Sequence, residues 1–148
     1  MIKFETWLAL GSLALGILFV LLVLSFYNFL IGPTGTGPQV EVDPTGVLLL
    51  IVSIAGVPGL ILAGLVYGIA RSTTGRNTAF ILVSSGVILI IGMFIARFFY
   101  TKISPDFVVS SVILVPNFFI IAGLGEVALG GYLLFTSRSA DQNLEWET

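Results

Sequence analysis

Glu126 is the residue of this chain best placed to do chemistry. It stands in Ile120-Ile121-Ala122-Gly123-Leu124-Gly125-Glu126-Val127-Ala128-Leu129-Gly130-Gly131, a lone acid in an apolar run. Nine residues separate it from Phe135, about 13.5 Å of helix, which is near mid-membrane for a span over 117–135. An ionised carboxylate at that depth costs roughly 2.5–3.5 kcal/mol on insertion scales. It must hold a proton or find a partner. Ala122 and Gly130 lie four residues to either side and Gly123 three before, all on the same helical face. Small residues admit another backbone, so Glu126 is expected to face a helix rather than lipid. Two chemistries fit: a proton or cation relay, or a carboxyl hydrogen-bonding across a helix interface. The second is favoured, because no other deep acid, His or Lys offers a next relay step.

Two side chains could answer it. Arg97 stands three residues before Tyr100, where a long basic chain ordinarily snorkels to the interface. It would meet Glu126 only if the two helices were shifted. Asn117 follows Pro116. That proline lacks an N–H and frees a carbonyl one turn earlier, for Asn117 or a neighbouring helix to satisfy.

Much other chemistry is excluded. The 148 residues contain no His and no Cys. Within this chain that removes disulfides, thiolate metal sites, the usual haem ligand and the usual general base. Neither a catalytic residue set nor a cofactor is expected. Net charge is -2 with no basic run, which argues against nucleic-acid binding.

The elements that must position Glu126 are membrane helices. Hydrophobic residues make up 57% and charged residues 9% of the chain, against about 25% charged in a soluble domain; mean hydropathy is +1.11. Lipid must be part of the solvent. Four stretches near 7–31, 46–70, 78–100 and 108–135 have the roughly 20 apolar residues a span needs. They are apolar on all faces, which excludes the alternation of barrel strands. The fold class is therefore all-α: one polytopic domain of four transmembrane helices, with a polar, acidic tail over 137–148 in which Trp146 could anchor a partner. The run from Trp7 to Leu24 is too long for a signal peptide's apolar region and lacks an Ala-x-Ala ending, so the first helix is expected to be retained.

Local signals mark the ends. Asp43-Pro44 and Ser104-Pro105 read as N-caps followed by proline, and Gly75 can close the second helix. Aromatic residues near the ends (Trp7, Phe26, Tyr27, Phe29, Phe98, Phe99, Tyr100, Tyr132, Phe135) look like interfacial belts. The first loop has Pro-Thr-Gly at Pro33–Gly35 and again at Pro44–Gly46, both turn-like. Its Glu41 and Asp43 make a solvated acidic loop in preference to a cation site. Lys3, Arg71, Arg76 and Arg138 fall on one side, and Lys102, with Arg97 near its boundary, on the other. The positive-inside rule then puts both termini in the cytoplasm.

Packing signals are plentiful. Ala55, Gly59 and Ala63 recur every four residues, with the Gly64/Gly68 GxxxG beside them, and Gly92 and Ala96 repeat the spacing. With Ala122, Gly123 and Gly130 they predict several tight helix contacts, some of them to other chains. Pro58 and Pro116 are expected to leave packed kinks.

The segment Gly125-Glu126-Val127-Ala128-Leu129-Gly130-Gly131 resembles the ion-carrying helix of four-helix rotary-ATPase proteolipids. The third helix, Phe80-Ile81-Leu82-Val83-Ser84-Ser85-Gly86-Val87-Ile88-Leu89, is bulkier than that family's Gly/Ala-lined helices, and the acidic first loop departs from it too. In size, span number and missing ligands the chain is similar to small four-helix accessory subunits of prokaryotic oxidoreductase or oxygenase complexes, such as the extra subunits of archaeal ammonia monooxygenase. That likeness implies a non-catalytic, multi-pass subunit of the cell membrane, packed among other integral membrane subunits and lipid. The alternative is a small oligomeric proton or cation transporter or channel using Glu126.

Overall fold

In the computed structural model the described residues are 4–33, 37–38, 40–70 and 76–147, without the side chains of Glu5 and 137–147. All regular structure among them is helical. Four helices are long and apolar enough to cross a membrane: Thr6–Ile31, Pro44–Ala70, Arg76–Tyr100 and Ser110–Thr136. Each is hydrophobic around its whole circumference, as lipid on one side and protein on the other require. In hydrocarbon the backbone must satisfy itself, and a helix does so.

The ends refine the expected boundaries. The second helix begins at Pro44, with Asp43 extended at the cap position but without a side-chain capping bond. Pro44–Gly46 is thus a first helical turn, not a loop turn. Pro105 opens only a single 3-10 turn, Pro105–Phe107, and the fourth helix starts at Ser110. That helix continues past the membrane to Glu147, through the expected tail. Gly32, at φ +75°, ends the first helix in the left-handed conformation that glycine adopts freely. Lys3, Thr34, Gly35, Arg71, Gly75 and the side chains of Arg138 and Trp146 lie outside the described residues.

Both prolines leave a signature. The ring of Pro58 would strike the carbonyl of Ile54 in a regular helix. The second helix instead widens into a π-helical turn, Val52–Gly56, where the Val57 N–H donates to the Val52 carbonyl. Pro116 removes the donor that Val112 would have used. The buried Tyr27 hydroxyl of the first helix donates to the Val112 carbonyl at 2.6 Å. The neighbouring helix, and not Asn117, meets that need. Tyr27, expected in an aromatic belt, is a core residue for this reason, and Phe26, expected there too, is also buried. Trp7, Phe29, Phe98, Tyr132 and Phe135 do face outward.

The first helix packs along the second and third, and the third along the fourth; the second and fourth meet less extensively. The third is the most buried of the four. First and third run parallel: Thr6 and Thr78 share a hydrogen bond at 3.0 Å at one end, and a Cβ on Gly92 would overlap Val20 further along. Second and fourth also run parallel, joined by the Thr45–Ser111 hydroxyl pair at 2.9 Å and the Tyr67–Tyr132 ring pair. Across the centre, the Phe19 and Phe119 rings lie 4.2 Å apart. A Cβ on Gly56, within the π turn, would come 2.7 Å from Phe119. Only a glycine there lets the aromatic pair close the bundle.

Candidate functional site

Glu126 is 5% exposed, and among the described residues it is the one acidic or basic side chain in the buried core. The fourth span covers 110–136, so its midpoint is residue 123 and Glu126 lies three residues away, about 4.5 Å along the axis. The third helix faces it. A Cβ on Gly123 would come 3.0 Å from the Gly86 carbonyl oxygen, and one on Gly130 would come 2.9 Å from the Val83 backbone nitrogen. Backbone therefore meets backbone on both sides of the carboxyl. Ser85 supplies the hydroxyl that reaches Glu126, and Oε2 has no hydrogen-bond partner. A Cβ on Gly16 would lie 3.4 Å from Ser85 Oγ, so the first helix closes the far side of the serine.

The arrangement is a carboxyl and a hydroxyl shut between helices. It can hold a hydrogen bond and one further donor at Oε2. Three oxygens are too few for a calcium-type shell of six to eight.

Arg97 is exposed at the last turn of the third helix. It stands twelve residues from Ser85, about 18 Å along the axis, and the structure does not bring it to Glu126. Asn117 is half-buried and lines a surface groove with Val52, well away from the carboxyl. Ala55, Gly59, Ala63, Gly92, Ala96, Gly123 and Gly130 are all buried, and Ala122 is half-buried. Gly64 and Gly68 are exposed, and an added Cβ on either would meet nothing within 4 Å. Among the described residues nothing packs onto that GxxxG face. Glu41 and Asp43 line a shallow depression with Phe107, and no group of three or more His, Cys, Asp or Glu that could hold a metal forms among the described residues.

Sequence reasoning missed Ser85 and Gly86. A Cβ on Gly86 would fall 2.7 Å from the Gly123 carbonyl oxygen and 2.9 Å from the Val127 nitrogen. The Ser84-Ser85-Gly86 triplet was the available signal. Its neighbour Ser84 turns outward and donates to its own helix at the Phe80 carbonyl, so only the helix rotation separates the two serines.

No protein-family model matches this chain, and neither a curated protein nor a solved structure matches it.

Proposed function

We propose that this chain is a non-catalytic accessory subunit of a multi-subunit complex of the cell membrane, an oxidoreductase or monooxygenase by its general likeness, with both termini cytoplasmic. One observation carries the reading: the small-residue motif Gly64/Gly68 opens outward with free space above it. Small residues on a membrane helix are where a second helix approaches closely, and the bundle leaves these two unused. Gly125 and Gly131 on the fourth helix are open in the same way. Mild-detergent purification of the tagged protein, with mass spectrometry of what co-migrates, tests it. Stoichiometric larger membrane subunits support the reading, and recovery as a monomer or homo-oligomer overturns it. Gly64→Leu with Gly68→Leu should cut that recovery while leaving the isolated bundle folded.

A second reading is favoured by the orphan Oε2 of Glu126: a small oligomeric proton or cation transporter. Glu126→Gln would abolish transport in reconstituted vesicles on this reading. On the subunit reading it would leave the co-purifying partners in place.

A further inference from the structure

The two helix irregularities have a common consequence at the surface. Beside the π turn of the second helix and the Pro116 region of the fourth lies an open groove of about 550 Å³. Val52 forms one wall, and residues of the fourth helix from Ser111 to Ile121, including Leu114, Val115 and Phe118, form the other. Its walls are almost wholly apolar. Both flanking segments belong to membrane-spanning helices, so no water competes for the space.

Length and depth identify the occupant. From Ser111 to Ile121 the helix rises ten steps, about 15 Å. The hydrocarbon core of a bilayer is about 30 Å thick, so the groove runs through one leaflet. It starts at the first turn of the fourth helix and stops two residues short of the span midpoint at residue 123. At its mouth the exposed Thr45 and Ser111 hydroxyls lie 2.9 Å apart, at the level where a glycerolipid carries its ester carbonyls. We propose that this groove is a binding site for one acyl chain of a glycerophospholipid of that leaflet, with Thr45 and Ser111 hydrogen-bonding at the ester level. A concave wall gives the chain more van der Waals neighbours than the convex helix surface around it. The exposed Glu41 and Asp43 lie just before the helix whose first turn carries Thr45, and like charge there disfavours an anionic headgroup. The preferred lipid is zwitterionic.

Native mass spectrometry of the full-length protein, titrated with phosphatidylethanolamine or phosphatidylglycerol, tests this. The wild type should bind one phosphatidylethanolamine more tightly than phosphatidylglycerol. Leu114 lines the groove and is 62% exposed, so Leu114→Trp fills it without entering the core. It should weaken that first binding about tenfold, a difference of ~1.4 kcal/mol. Leu124→Trp, at an exposed position outside the groove, should leave it unchanged. Equal retention by both variants, no saturable lipid on the wild type, or cross-linking from position 114 to a protein subunit would each overturn the proposal. The lipid-binding outcomes do not bear on whether the chain is a subunit or a transporter; a cross-link to a protein subunit would overturn this proposal while supporting the subunit reading.

Discussion

Replacing Tyr27 by Phe removes one hydroxyl and changes almost nothing else. The ring is fully buried, so the substitution opens no cavity of consequence. What it removes is the donor to the Val112 carbonyl, held at 2.6 Å. That carbonyl has no intrahelical donor, because residue 116 is proline. An orphaned buried acceptor costs about 1–3 kcal/mol, whereas hydrogen bonds between membrane helices average only ~0.6 kcal/mol when the acceptor can turn elsewhere. The Val112 carbonyl cannot turn elsewhere, so Tyr27→Phe should cost about 1–2 kcal/mol, toward the lower part of the orphan range. The decisive comparison is a double-mutant cycle. Pro116→Ala restores an N–H that can serve Val112 within the helix. In that background the same Tyr27→Phe change should cost no more than about 0.6 kcal/mol. Equilibrium unfolding of the purified protein in mixed micelles measures both. A Tyr27→Phe loss that is absent, or equally large in the Pro116→Ala background, would refute the assignment of Tyr27 as the surrogate donor.

Three further predictions follow from the same contacts. Gly86→Ala should destabilise by about 1–3 kcal/mol, the usual cost of overpacking, because its Cβ would press on the Gly123 and Val127 backbone; Gly64→Ala, which meets open space, should leave the isolated chain's unfolding midpoint unmoved. Glu126→Met combined with Ser85→Ala should be neutral or stabilising for the isolated chain in the same unfolding assay, since it removes the acceptor left without a partner together with the hydroxyl that reaches the carboxyl. Ser12→Ala, which deletes a buried bond to the Gly59 carbonyl at 2.9 Å, should cost about 0.6 kcal/mol, as is usual between membrane helices; a loss near that of Tyr27→Phe would show that the proline is not what makes the latter large.

The span count and the apolar character of every span were legible in the sequence, because a bilayer demands about 20 apolar residues per helix whatever the packing. So was the depth of Glu126, which follows from counting residues along one helix. That it turns toward another helix was an inference from the glycines on its face, and the structure places it there. Rotation and pairing were not legible, for a definite physical reason. When a helix is apolar all round, periodicity carries no information about which face is inward. Gly64/Gly68 and Gly86 look alike in sequence, yet one pair opens outward and the other residue lies against the backbone of the fourth helix. The same ambiguity put Tyr27 among the belt aromatics and left open what would satisfy the carbonyl freed by Pro116. A proline announces that some carbonyl is orphaned. Only the tertiary structure decides which neighbour comes close enough to answer it.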